Sequence, residues 1–246
     1  MKSRIPLLTL LLLAGLLVGG FALYSTARTT EPSALQDRIA KLKTEIIALD
    51  KLTSAKPRNV KPEPVTFKGK KALRVTDTAP PAAGDGDRLL WLTGTDFQNG
   101  VIEVELTGDV APNAVEGARG FVGVAFRVRP EAAKFECFYL RPTNGRADDQ
   151  VRRNHSAQYI SVPEFPWQRL RKEFPEKYES YVDLVPAEWT KVKIEVSGVK
   201  AKLYVHGAAQ PTLVVNDLKL GETKGDIGLW VGPGTVAHFA NLRVTQ

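Results

Sequence analysis

Arg141, Arg146, Arg152, Arg153, Arg169 and Arg171 fall in one stretch of the chain, RPTNGRADDQVRRNHSAQYISVPEFPWQRLRKEFPEKYESYVDLVPAE, residues 141–188. Asn144, Asn154, Asp148, Asp149 and His155 stand among them, and Tyr159, Phe165, Trp167, Phe174, Tyr178 and Tyr181 are interleaved. A guanidinium is a planar fork that grips carboxylate, sulfate or phosphate with two parallel hydrogen bonds. A sugar ring has apolar faces for aromatic side chains and hydroxyl edges for Arg, Asn, Gln and carboxylate groups. The ligand-binding set expected from these chemistries is Arg141, Asn144, Arg146, Arg152, Arg153, Asn154, Gln158, Tyr159, Trp167, Arg169, Arg171 and Tyr178. A second reading needs no ligand. Trp167, Leu170 and Phe174, spaced by three and four, would form a small core under Arg stems, and Arg146, Arg152 and Arg153 would brace Asp148 and Asp149.

Acid–base chemistry has four candidates in the same stretch: Asp148, Asp149, His155 and Glu179. Arginines around the Asp148–Asp149 pair favour its ionised form, which suits ion pairs or a hydroxyl acceptor better than a general acid. His155 reads more readily as a loop-bracing hydrogen-bonder than as a base. Cys137 is the single cysteine, so no intrachain disulfide exists, and its neighbours Phe135, Phe138 and Tyr139 mark it as a small buried hydrophobe. The chain has no HExxH, no CxxC and no Gly-rich phosphate loop. No metal or other cofactor is expected, with calcium left open through Asp148, Asp149 or backbone oxygens.

The elements that must position this stretch are strands. From Val65 onward apolar and polar residues alternate with period two. Ile102, Val104 and Leu106 oppose Glu103 and Glu105; Val192, Ile194 and Val196 oppose Lys191, Lys193 and Glu195. Expected strands are 65–67, 72–75, 89–92, 101–106, 121–128, 135–140, 158–161, 192–196, 201–205, 213–215, 227–231 and 237–244, separated by turns such as Ser197-Gly198 and Gly232-Pro233-Gly234. Short strands with one apolar face and no βαβ rhythm make an all-β, antiparallel β-sandwich over residues 65–246. Residues 141–188 are a long insert in it, rich in aromatics where disordered segments are poor in them.

The C-terminal third carries WTKVKIEVSGVKAKLYVHG from Trp189, GDIGLWVG from Gly225 and FANLRV from Phe239. With FQNGVIEVE from Phe97 and FVGVAFRV from Phe121, this pattern resembles the concanavalin A-like lectin/glucanase superfamily, including laminin-G-like domains. It is similar also to the domain named 3-keto-disaccharide hydrolase, a family-16-like glycoside hydrolase. The resemblance implies a concanavalin A-like jelly roll and sugars as ligands. Catalytic glucanases of the superfamily carry Glu-x-Asp-x-x-Glu on one strand. Here Glu103-x-Glu105 is followed by Leu106–Gly108, so the third acid is missing, and two solvated acids on an outer face are the better reading. Three functions follow: a lectin-like carbohydrate-binding protein, a glycan-active hydrolase or lyase, or a structural and protein-interaction module. A close acid pair in an open groove would favour the second. Charges all paired within the insert would favour the third.

The beginning of the chain concerns location. Lys2 and Arg4 precede an apolar run from Ile5 to Tyr24, so residues 1–27 read as a signal sequence or a hydrophobic membrane-anchor helix. Positive charge before the run places the rest of the chain outside the cytoplasm, in the periplasm or extracellular. Leu35, Ile39, Leu42, Ile46 and Leu49 make a heptad seam in an amphipathic helix over 32–53, a means of homo-oligomerisation through 35–49. Residues 54–64 read as a Pro- and Lys-rich linker. Residues 1–71 hold 13 Lys/Arg against 5 Asp/Glu, and the remainder 21 against 22. The basic charge thus belongs to the leading segment, and the near-neutral domain does not suit nucleic acid.

Overall fold

The computed structural model describes residues 43–52, 54–80 and 83–246. Fifteen strands dominate it. They are β1 (Thr44–Ile47), β2 (Ala55–Arg58), β3 (Val60–Phe67), β4 (Lys70–Asp77), β5 (Leu89–Phe97), β6 (Gly100–Val110), β7 (Val122–Val128), β8 (Phe135–Leu140), β9 (Ala157–Val162), β10 (Glu179–Ser180), β11 (Thr190–Ser197), β12 (Lys200–Val205), β13 (Leu213–Val215), β14 (Gly225–Val231) and β15 (Thr235–Thr245). Two short helices, α1 (Gln150–Asn154) and α2 (Trp167–Glu173), lie in the insert. All strand pairings are antiparallel. One sheet has eight strands, in the order β13-β12-β11-β6-β15-β4-β3 with β1 on β15; the other has seven, β10-β9-β8-β7-β14-β5-β2. The β-sandwich expected from the alternation is the observed architecture, and all twelve expected strands are present.

The eight-stranded sheet keeps that alternation. Ile102, Val104, Leu106, Val192, Ile194 and Val196 are buried in the core. On the outer face Glu105 sits opposite Lys191 and Glu103 opposite Lys193. Glu105 also receives Lys70 Nζ at 2.7 Å, so these acids form a cross-strand charge ladder. The seven-stranded sheet differs, because β7, β8 and β9 are buried along their whole lengths. One row, Tyr159, Phe138, Val124, Leu229 and Leu90, packs into the core between the sheets. The next row, Gln158, Tyr139, Gly123 and Trp230, faces away from the other sheet. Gly123 is required there, since a Cβ would lie 2.5 Å from Tyr139 Cβ.

Three expectations for the leading segment need correction or fall outside the described residues. Residues 1–27 and 32–42 lie outside them. Where the amphipathic helix was expected to continue, Thr44–Ile47 is instead a strand bonded to β15, and Leu49–Lys51 is a 3-10 turn. Leu49 is buried in the core and is not available to pair with another copy. The supposed linker is structured too. Ala55–Arg58 and Val60–Phe67 are the edge strands β2 and β3. Pro62 and Pro64 are tolerated in β3 because an edge strand leaves one row of backbone groups unpaired. Among the described residues no helix is long and apolar enough to cross a membrane.

Candidate functional site

On the outer face of the seven-stranded sheet lies a groove of about 870 Å³. Tyr139 and Trp230 supply its floor, Phe121 and Trp167 line its sides, and Asp85 faces it. Trp167 stands at the first position of α2, which follows Pro166, and Leu170 anchors that helix in the core. Phe121 ends the loop that enters β7. The aromatic rings brace one another: Tyr139 packs on Trp230 at 4.7 Å between centroids and edge-on to Phe121 at 6.1 Å.

Asp85 begins a 3-10 turn, Asp85–Asp87, held from several sides. Trp230 Nε1 donates to the Asp85 carbonyl at 2.6 Å. Arg88 is buried, pairs with Asp77 at 2.9 Å, and donates to the carbonyls of Pro80, Ala83 and Gly84. Asp87 receives Arg58 at 3.0 Å and the Gly84 amide at 2.9 Å. The Asp85 carboxyl makes no hydrogen bond or ion pair among the described residues. Burial pushes it above the usual carboxylate range, against the opposing pull of the Arg141 and Arg88 guanidiniums.

The insert is an internally bonded structure. The Arg141 guanidinium donates to Tyr139 Oη at 2.8 Å, Gln158 Oε1 at 3.0 Å and the His155 carbonyl at 2.8 Å. It lies 4.9 Å from the Tyr139 ring and 6.0 Å from the Trp167 ring. The Glu179 side chain is 3% exposed and binds Arg171 through both oxygens, at 2.5 and 2.9 Å, with Arg141 at 3.4 Å. His155 Nε2 is 3.7 Å from the same carboxylate. Burial lowers the His155 pKa, and Glu179 opposes that shift.

The twelve expected ligand residues are thus scattered in role. Trp167 and Arg169 line the groove. Arg171 stacks on Trp167 at 4.6 Å. Gln158 and Arg141 are buried beside Tyr139. Tyr159 points into the core, where its hydroxyl donates to Glu136 at 2.5 Å. Tyr178 is buried and donates to Asp217 at 2.7 Å. Asn144 is buried against the His155 carbonyl, Asn154 bonds Gln150, Arg146 pairs with Asp183, and Arg153 stacks on Tyr181 at 5.1 Å. Arg152 reaches the Thr143 carbonyl and Asn144 Oδ1. Asp149 caps α1 by accepting from the Arg152 amide at 2.9 Å, and Asp148 lies in a separate depression with Arg153 and Tyr181. No group of three or more His, Cys, Asp or Glu able to hold a metal ion occurs among the described residues. Cys137 is buried, and burial drives its thiol pKa well up. Asp85, Phe121, Tyr139 and Trp230 escaped the sequence reading. Tyr139 and Trp230 look like core in an apolar strand, and Asp85 sits in a Gly-Asp-Gly-Asp turn with no chemical signature.

No family model and no curated protein sequence matches the chain. Solved structures do. The carbohydrate binding module CBM66 from Bacillus subtilis is similar over 79% of this chain and 97% of its own, with TM-score 0.50 and 15% identity. The fold is the concanavalin A-like jelly roll. A protein of unknown function with galectin-like fold from Bacillus subtilis matches over 86% of this chain and 91% of its own, at TM-score 0.47 and 10% identity. A putative glycosyl hydrolase from Parabacteroides distasonis matches over 85% and 95%, at TM-score 0.46 and 10% identity. In the present jelly roll, the insert supplies β9 and the edge strand β10 of the seven-stranded sheet and, through α2, one wall of its groove.

Proposed function

We propose that this protein binds carbohydrate in the groove over Tyr139 and Trp230. The observation that carries the reading is a carboxylate, Asp85, without a partner among the described residues and set beside aromatic rings in a groove of about 870 Å³. Trp167 and Phe121 offer apolar ring faces, and the Asp85 carboxylate accepts hydrogen bonds from hydroxyls on the ring edge. The likeness of the fold to a carbohydrate binding module agrees with this use. The apolar run after Lys2 and Arg4 supports an exported protein that meets glycans outside the cytoplasm, tethered if that run is retained.

Calorimetric titration of the whole chain against neutral and acidic oligosaccharides tests the proposal. Binding should fall by about tenfold or more in Trp167→Ala and in Asp85→Asn, with the fold intact by circular dichroism. Wild-type affinity in both variants would place the ligand elsewhere. A second reading, a hydrolase or lyase, is favoured by the raised Asp85 carboxyl, since a general acid must hold its proton near the working pH. Appearance of new reducing ends from a bound oligosaccharide, lost in Asp85→Asn, would establish it.

A further inference from the structure

Two arginines near Ala118 and Thr143 make no ion pair among the described residues. Arg119 follows Ala118, which lines the groove, and its guanidinium donates only to the Ala118 carbonyl, at 2.8 Å. Arg152 reaches only the Thr143 carbonyl at 3.5 Å and Asn144 Oδ1 at 3.4 Å, and its Nε is buried with no partner. Neither makes an ion pair among the described residues, where Arg141, Arg146, Arg169 and Arg171 all do. Thr143 holds the two together. Its amide donates to the Arg119 carbonyl at 3.3 Å, and its own carbonyl accepts from Arg152. Arg141 lies against the same corner, 6.0 Å from the Phe121 ring, and shares its one carboxylate, Glu179, with Arg171. Burial lowers the Arg119 pKa, and the charges of Arg152 and Arg141 lower it further. Like charges are brought together here, with only Glu116 near enough to Arg119 among the described residues to offset part of the repulsion. Such a corner is relieved by an anion, and free guanidinium edges bind a carboxylate or sulfate strongly.

We infer that Arg119 and Arg152 form an anion subsite at the insert end of the groove, so that the saccharide this protein takes carries acidic groups, uronate or sulfate. The inference rests on the groove reading above. Asp85, which makes no ion pair among the described residues, then faces the uncharged part of the sugar chain.

The test is a titration of the full chain with matched sets of oligosaccharides on several backbones: neutral, uronate-bearing and sulfated. Wild type should bind one of the acidic forms about tenfold more tightly than its neutral match at low ionic strength, with the margin shrinking as salt is raised. The uronate and sulfate arms identify which acid is read. Arg119→Gln and Arg152→Gln should erase the margin and leave neutral binding within about twofold of wild type, while Arg119→Lys should keep part of it. Equal wild-type affinity for neutral and acidic forms overturns the subsite and spares the groove. An acidic margin that survives Arg119→Gln/Arg152→Gln also overturns it. Absence of binding to every set overturns both readings. A thermal melt of each variant identifies any that fails to fold, and Arg119→Lys then carries the comparison through its acid-to-neutral ratio.

Discussion

The insert and the turn at residues 83–87 make opposite use of charge. The insert brings in Arg141, Arg171, His155 and Glu179 and closes them on each other; the buried Glu179 carboxylate is engaged by two guanidiniums. The turn brings in two aspartates and satisfies one. Asp87 is held by Arg58 and the Gly84 amide, whereas Asp85 is left facing the groove. A dense run of chemically able side chains is therefore a poor guide to a site by itself. Groups buried with their partners define structure, and a group buried without one marks where a ligand could complete the set.

The largest test of this contrast is Glu179→Ala. It would leave Arg141 and Arg171 without their carboxylate, at a cost of about 3–5 kcal/mol for a broken buried pair. At about 2–4 °C per kcal/mol in a domain of this size, the melting temperature should drop on the order of 10 °C. A drop of only a degree or two would show that the insert does not depend on Glu179. Deleting the groove carboxylate should act in the other direction. Asp85→Asn removes a charge that burial disfavours, so the melting temperature at pH 7 should hold or rise while sugar binding falls by about tenfold.

The pH dependence separates the two regions further. The folded pKa of Asp85 lies above its unfolded value of 3.8, so the folded state binds this proton more readily. Acidification from neutral towards 3.8 therefore raises the contribution of Asp85 to stability. The same protonation removes an acceptor from the groove, and binding should weaken over that window. Binding that strengthens on acidification would show that the acid form is the one recognised. Asp85→Asn should flatten this profile.

How much of this was legible in the sequence depends on the range of the forces involved. Period-two alternation is local, and it located twelve strands, among them Phe135–Leu140 and Leu213–Val215 with the observed bounds. It found only the end of β3, residues 65–67, and missed its beginning, where Lys61, Pro62, Glu63 and Pro64 on an edge strand present few apolar residues to alternate. It failed at β1, where Ile46 and Leu49 fit a helical spacing until pairing with β15 overrides it. Trp167, which lines the groove, was legible as a candidate by its type. Asp85 was not, because its place is fixed by Trp230, 145 residues away, through one hydrogen bond to its carbonyl. Tyr159 was misplaced because side-chain type gives chemistry, while the parity of its strand β9 in the sheet decides which face receives it.

The smallest expected effect is the most direct check on the division between the two regions. Arg146 and Asp183 form a two-point ion pair in the insert, with side chains 64% and 51% exposed. Arg146 is of a residue type suited to a ligand, yet the pair closes on itself in solvent, where such bridges contribute about 0–1 kcal/mol. Arg146→Ala should shift the melting temperature by no more than a few degrees and leave carbohydrate affinity within about twofold. If affinity instead fell as far as in Trp167→Ala, the arginines of the insert would be reading the ligand after all. The groove would then extend along the sheet edge past β10, beyond the corner formed by Arg119 and Arg152.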